Sequence, residues 1–111
     1  MAFNYKVLFQ AQLANTTANN VYQPGASIRS LIKYLAVHNT HTSNVTITIY
    51  LDSDGTTYNA TTQIHKVTLA PDETFNLDVN IGMDGADSGS IGVQASVANV
   101  VNVLGTGAEA S

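Results

Sequence analysis

Few side chains in this sequence are spaced to do chemistry, and the nearest approach to a constellation is His38-Asn39-Thr40-His41. Two imidazoles can share a Zn²⁺ ion, but a closed tetrahedral site takes four ligands, and the chain has no cysteine to complete one. The pair therefore reads as strand-end or loop residues open to water, and no metal centre is expected. His65 is expected to be a cross-strand polar residue. Asp52-Ser53-Asp54-Gly55 matches the opening of a calcium loop. The EF-hand pattern then needs glycine at its sixth position and glutamate at its twelfth, where Thr57 and Gln63 stand. Asp84-Gly85-Ala86-Asp87 offers a second set of carboxylates and carbonyls for Ca²⁺. For Asp52 to Gly55 the expected role is a β-turn, where Asp and Gly are favoured for backbone reasons.

Asp72 and Glu73 follow Pro71 and read as solvated turn residues. On a strand, neighbours diverge and cannot work as an acid/base pair. There is no Gly-x-Ser-x-Gly elbow and no glycine loop to cradle phosphate. No serine has a His and an Asp whose proximity the sequence supports. An enzyme is the least favoured class; no catalytic residue and no cofactor is assigned.

Composition narrows the classes further. Charged residues are 11% of the chain, against about 25% in ordinary soluble domains. The surface must be built from Thr, Asn, Ser and Gln, which cost less to desolvate than ions and so suit protein–protein contact. Formal net charge is −4. Lys6, Arg29, Lys33 and Lys66 are the only permanent cations and form no run, so nucleic acid is not an expected partner. Met1 to Lys6 lacks the pattern of a signal peptide, and no apolar stretch nears the ~20 residues of a membrane helix. A soluble protein with no membrane partner is expected. Asn15-Thr16-Thr17, Asn44-Val45-Thr46 and Asn59-Ala60-Thr61 match the glycosylation sequon, as chance allows in so Asn/Thr-rich a chain.

The elements that must position any site are strands. Val45, Ile47, Ile49 and Leu51 alternate with Thr46, Thr48 and Tyr50, the signature of a ribbon with one dry and one wet face. Tyr5, Val7, Phe9, Ala11 and Leu13 alternate with Lys6, Leu8, Gln10 and Gln12 in a first strand. Val21-Tyr22 begins a short segment that stops at Pro24-Gly25. Leu31 to Asn39 is a strand with Leu31, Leu35 and Val37 inward and Lys33 outward; a helix over Ser27 to Tyr34 ranks below it. This strand and Asn44 to Asp52 are expected to form a hairpin. Thr56 to Thr62 is a loop or an edge strand. Ile64 to Leu69 and Phe75 to Val79 follow as strands, Ile81 to Ser90 as an irregular loop. Ile91 to Val97 is next, then a tight turn at Ala98-Asn99, a strand from Val101, and a small polar tail over residues 105–111. The sum is an all-β fold over residues 1–111: a single antiparallel β-sandwich, Ig-like or jelly-roll-like, of about eight short strands.

Leu31 to Asp52, with its Asn-Thr turn and Val-Thr-Ile-Thr strand, resembles small virion proteins of tailed bacteriophages. So do Val67 to Thr74 (Val-Thr-Leu-Ala-Pro-Asp-Glu-Thr), Val93 to Ser96 (Val-Gln-Ala-Ser) and Val100 to Gly105. The resemblance implies a structural virion protein without catalysis: a capsid decoration (cement) protein, or a tail, collar or fibre-base module. As a decoration protein it would be a homotrimer bound across major capsid protein subunits, its partners being that protein and its own copies. Residues 1–14 are the expected lattice-contacting strand, since an end strand can add to an exposed sheet edge. The expected interface residues are Phe3, Tyr5, Val7, Phe9, Tyr34, Tyr50 and Tyr58, with Tyr50 and Tyr58 as an exposed pair. A carbohydrate-binding module, using the Tyr rings, is the alternative from a different class, although Trp is absent.

Millimolar Ca²⁺ is expected to leave the melting temperature unchanged; a rise of several degrees in a thermal-shift assay would revive a calcium site at Asp52 to Gly55 or at Asp84 to Asp87.

Overall fold

The computed structural model describes residues 3–111; Met1 and Ala2, the start of the expected contact strand, lie outside the described residues. Eight strands follow one another: β1 (Asn4–Gln12), β2 (Asn19–Tyr22), β3 (Arg29–Asn39), β4 (Val45–Asp52), β5 (Gln63–Leu69), β6 (Thr74–Asp84), β7 (Ser90–Ala95) and β8 (Val101–Ala110). A single 3₁₀ turn, Gly85–Asp87, separates β6 from β7. The strands form two antiparallel sheets ordered β1-β8-β3-β6 and β2-β7-β4-β5. Only the β4–β5 connection stays within one sheet; every other link crosses from one layer to the other. Two four-stranded sheets interleaved in this way are a jelly roll rather than an Ig-like sandwich.

That topology corrects the expected hairpin. β3 and β4 lie in opposite sheets, and the Thr40–Asn44 loop passes over the end of the sandwich. Ala98-Asn99 is a turn as expected, with Asn99 at φ 62°, but it too changes sheets. Asn tolerates that left-handed conformation better than most residues. Both loops are short enough for a hairpin, and length alone does not tell a turn in the plane of a sheet from one over its edge. The core decides it. Leu35 and Val37 of β3 and Ile47 and Ile49 of β4 are all buried in one apolar cluster, so the two strands supply opposite walls.

Two further expectations fail for a common reason. Ile81 to Asp84 continues β6, and Gly105 to Ala110 continues β8 instead of forming a tail. Glycine and small residues read as loop by composition, but β3 pairs with both strands along its length and supplies their backbone partners. The glycines of β8 are there for close approach. A Cβ on Gly105 would fall inside the Phe9 ring, and one on Gly107 would strike the Leu31 carbonyl.

The register is broken where those glycines stand. On β1, Val7 faces Thr106 and Phe9 faces Gly105, so one extra residue is inserted. On β3, Ile32 faces Gly107 and Tyr34 faces Thr106, a second insertion at the same level. A one-residue bulge reverses which face the following side chains take. Phe9 therefore turns into the core at 8% exposure, whereas Val7 stays outside at 53%. On β3 the inward set is Ser30 and Ile32 before the bulge, then Leu35, Val37 and Asn39 after it. Leu31, expected inside, is only half-buried.

Asn39 holds one end of the sandwich. Its side chain is fully buried and its Nδ2 faces three carbonyls, Ser43 at 3.0 Å and Leu69 and Ala70 at 3.1 Å. Its Oδ1 accepts from the His41 N–H at 2.8 Å. Its backbone donates to the Glu73 carbonyl and accepts from the Asp72 N–H. One side chain thus joins the β3–β4 and β5–β6 crossings, which have no ladder partners of their own. Asn39→Leu, of similar volume, leaves buried carbonyls without donors. It is expected to cost about 3 kcal/mol, or roughly 12 °C in Tm for a domain of this size, measured by thermal and urea unfolding.

Candidate docking surface

The two outer faces of the sandwich differ in kind. On the β2-β7-β4-β5 sheet the outer face is hydroxyl and amide. Thr46 and Thr68 share a hydrogen bond at 3.0 Å, and the Tyr50 hydroxyl donates to Gln94 Oε1 at 2.8 Å. Thr48 and Lys66 lie opposite each other between them. On the β1-β8-β3-β6 sheet the outer face is apolar at its centre. Val7 and Tyr34 flank Thr106, and Ala36 and Gln10 flank Leu104.

β1 is the edge strand of that sheet, and it carries the exposed large apolar side chains of this region. Tyr5 is 78% exposed and Val7 53%, and Phe3, just ahead of the strand, is 49% exposed. Bulky apolar groups exposed on and just ahead of an edge strand form the arrangement proteins ordinarily avoid, because it invites pairing with another chain. Between β1 and β3 the surface is hollow. One groove of about 470 Å³ lies over Thr106 and Gly107, bounded by Tyr5, Val7 and Lys33. Another of about 490 Å³ lies farther along over Asn102 and Leu104, bounded by Gln10, Ala36 and His38. The first lies where β8 carries Thr106 and Gly107 between larger neighbours, and the second where β3 carries only Ala36 beside Leu104.

Of the expected interface residues, Tyr5, Val7 and Tyr34 lie on this face, and Phe3 is exposed just ahead of β1. The Tyr34 ring is half-buried with its hydroxyl donating to Asn76 Oδ1 at 2.5 Å. Phe9 does not belong to the surface; its ring stacks on Tyr22 at 5.7 Å inside the sandwich. Tyr50 and Tyr58 are on the opposite sheet's side and are not an exposed pair. Tyr50 is buried at 8% exposure and Tyr58 is half-buried, the rings 5.8 Å apart. Tyr58 settles where Gly92 has no side chain, and its hydroxyl bonds Ser90 Oγ at 2.7 Å. Burial first, and then the Asp52 charge, push the Tyr58 phenol up against the opposing pull of Ser90. Rings held this way offer no flat platform to a sugar. Lys33, Ala36, Leu104 and Thr106 escaped sequence reasoning. The signal that points to them is Gly105-Thr106-Gly107, since paired glycines inside a strand mark a bulge or a close approach.

The acidic turns have structural work. Asp52 is buried, and its carboxylate accepts from the N–H of Thr57 at 2.8 Å and of Asp54 at 3.2 Å. Those bonds, Thr57 first, hold its pKa below the usual carboxylate range, while the hydrogen bond and charge of Asp52 push Asp54 up. Asp84 caps the 3₁₀ turn by accepting from the Ala86 N–H at 3.1 Å. His38 Nδ1 bonds Thr74 Oγ1 at 2.6 Å, and His41 bonds Asn39 through its backbone. His65 stands opposite Ile49 and stacks on Phe75 at 4.5 Å, closing the gap between the sheets at the β5–β6 edge. Among the described residues no three His, Cys, Asp or Glu side chains are grouped to hold a metal ion, and no helix is long and apolar enough to cross a membrane.

A polar chain fastens the exposed half of β1 to the body. Lys6 Nζ lies 2.9 Å from Glu109 Oε1, and the Tyr22 hydroxyl donates to Glu109 Oε2 at 2.5 Å. Burial, then the hydrogen bond to Glu109, pushes the Tyr22 phenol up to about 12. The same hydrogen bond, then Lys6, pulls Glu109 down.

No protein-family model matches the chain, and no curated protein matches it. Among solved structures, a chain in the structure of infectious bursal disease virus, Gt strain, is similar over 96% of this chain, with 10% identity and a TM-score of 0.34. This chain spans 32% of that one. A likeness of that size carries no argument about function. What the geometry itself defines is an all-β jelly-roll domain with one polar and one apolar, grooved outer face.

The chain Lys6–Glu109–Tyr22 predicts how stability depends on pH. Glu109 is depressed in the folded state, so its contribution is present above its ordinary value of 4.5 and is lost as pH falls through the lower folded value. Tyr22 is raised, so its contribution is present below pH 10.0 and is lost as pH rises toward about 12. Glu109→Gln is expected to flatten the acid limb of a urea-midpoint profile, and Tyr22→Phe the alkaline limb. Unchanged limbs in both variants would show that the chain contributes nothing to folding.

Proposed function

We propose that this protein is a structural component of a virus particle, docking on other protein subunits through the outer face of the β1-β8-β3-β6 sheet. The observation that carries the reading is the exposure of Phe3, Tyr5 and Val7 on and just ahead of an edge strand, beside a grooved apolar face, in a chain with only 11% charged residues. Leaving three such groups in water is unfavourable. At ~25 cal/mol per Å² of apolar surface, covering them supplies a useful part of a binding free energy, and the ion-poor surroundings add little desolvation cost.

The jelly roll supports the reading by analogy only, since the fold serves viral capsid and lectin domains alike. Within the virion we favour capsid decoration: a homotrimer seated across major capsid protein subunits and stabilising the head. Binding to the assembled lattice and not to its dissociated parts shifts the equilibrium toward the shell. The phage-like stretches Leu31 to Asp52 and Val67 to Thr74 point the same way.

Deleting Met1 to Tyr5 tests the assignment, because it removes Phe3 and Tyr5 while leaving the Phe9 anchor in the core. Purified protein is added back to particles lacking it, and occupancy is read on gels after sedimentation. The parent is expected to bind empty heads, and the deletion to fold with a similar far-UV spectrum but fail to bind. Undiminished occupancy by the deletion would refute the surface, and binding to tails instead of heads would replace decoration by a tail or collar role.

A further inference from the structure

The hollow over β8 is extended, and the permanent charges that line it are lysines. Its floor consists of the outward residues Asn102, Leu104 and Thr106, spaced at every second position of a regular strand. With Ala108 the row runs about 20 Å, the length of some six residues of extended chain. Its walls are β1 and β3, which stand two strand spacings apart, roughly 10 Å between backbones before side chains are counted. An extended segment, whose side chains alternate with the same period as the floor, matches that interval.

Charge selects the occupant further. The protein has eight carboxylates and four permanent cations, yet no carboxylate lines either groove. Lys6, Lys33 and His38 do. Lys6 is already paired with Glu109, and His38 lies 3.9 Å from Asp72 at its far end. Lys33 has no carboxylate within 4.0 Å among the described residues; its ammonium donates to the neutral Asn80 Oδ1 at 2.6 Å. Two acids of β6 share this outer face: Asp78, opposite Tyr34, and Asp84, which lies 3.7 Å from Arg29 at the far end. A second copy's own edge strand is a poor match, since Asn4–Gln12 contains a lysine and no acid and would set cation against cation.

We propose that this trough seats an extended, acidic segment of the partner protein, its apolar side chains lying between β1 and β3 and a carboxylate reaching Lys33. The proposal rests on the docking reading above and names the chemistry of what docks. The two bulges beside Thr106 are then binding features, because they set Val7 and Tyr34 on the outer face at either side of it.

The test uses the full-length protein labelled with ¹⁵N and two synthetic peptides of about eight residues, one alternating aspartate with leucine and one alternating lysine with leucine. The acidic peptide is expected to shift amides of Val7, Lys33, Tyr34, Leu104 and Thr106 while leaving Thr46 and Thr48 unmoved. The lysine peptide is expected to bind at least about fivefold more weakly at low salt, and Lys33→Glu to reverse that order. Thr106→Tyr, which fills the floor, is expected to abolish both, with the remaining amide spectrum showing that the variant is folded. No shift at millimolar acidic peptide, equal binding of the two peptides, or shifts confined to the Thr46/Thr48 face would overturn the proposal. So would a concentration-dependent rise in mass by light scattering that moves the same amides without peptide, which would make the occupant a second copy. Loss of particle occupancy on deleting Met1 to Tyr5 with no response to peptide sinks this proposal alone. Peptide capture by a protein that never binds particles sinks the virion reading alone.

Discussion

The structure turns on a place where side chains are missing. At Gly105 the Phe9 ring, and at Gly107 the β3 backbone, press against β8 so closely that a methyl group at either position would collide. Strands of ordinary pleat cannot accommodate that approach in perfect register, and β1 and β3 each insert one residue beside it. The consequences reach both sides of the sheet. Inward, the insertions turn Phe9 of β1 and Leu35 and Val37 of β3 into the core, where Phe9 meets Tyr22 of the other layer. Outward, they leave Tyr5, Val7 and Tyr34 standing around a floor of Thr106 and Leu104. One steric fact therefore shapes both the core and the outer face of this sheet.

The ends of the sandwich are held by polar means, as a jelly roll requires. Its chain crosses between layers at almost every connection, and crossing segments have no ladder to satisfy their backbone groups. Asn39 answers for two crossings by placing its amide among three carbonyls. At the opposite end Asp52 receives the Thr57 and Asp54 N–H groups, while Ser90 Oγ ties Tyr58 to the Gly55 carbonyl. Carboxylates in turns that seem placed for a cation are thus occupied by the backbone. The same economy applies at Glu109, which gathers Lys6 of the exposed strand and Tyr22 of the core.

The proposed role draws on surface physics and not on a site of reaction. A chain this poor in ions presents amides and hydroxyls on one side and bare aromatic and aliphatic groups on the other. The first kind of face is stable in water, and the second is stabilised by being covered. The proposed occupant, an extended, apolar and acidic segment, is chosen to match that strip and its one lysine without a carboxylate partner among the described residues.

Much of the fold was legible in the residues. Alternation in Val45 to Leu51, and the Pro71-Asp72 and Ala98-Asn99 turns, follow from the two-residue period of a strand and from the few side chains that accept a left-handed backbone; Asp72 and Asn99 indeed have φ near 60°. Tyr5 and Val7 share one face of β1 because they stand at alternate positions ahead of its bulge, as the two-residue period of a strand dictates. Phe9 continued the same alternation and was misplaced, since a bulge leaves no mark in a hydrophobic pattern. Leu31 was misplaced for the same reason. Tyr50 and Tyr58 look exposable until Gly92 and Gln94 are set beside them. By itself the sequence determined that the chain forms strands, roughly where they turn, and that it carries few ions, because these depend on neighbours within a few residues. Which strands pair, that short loops cross between layers, and that two glycines in β8 reverse the faces of β1 and β3 were decided only by the tertiary structure, because those outcomes depend on atoms brought together from distant parts of the chain.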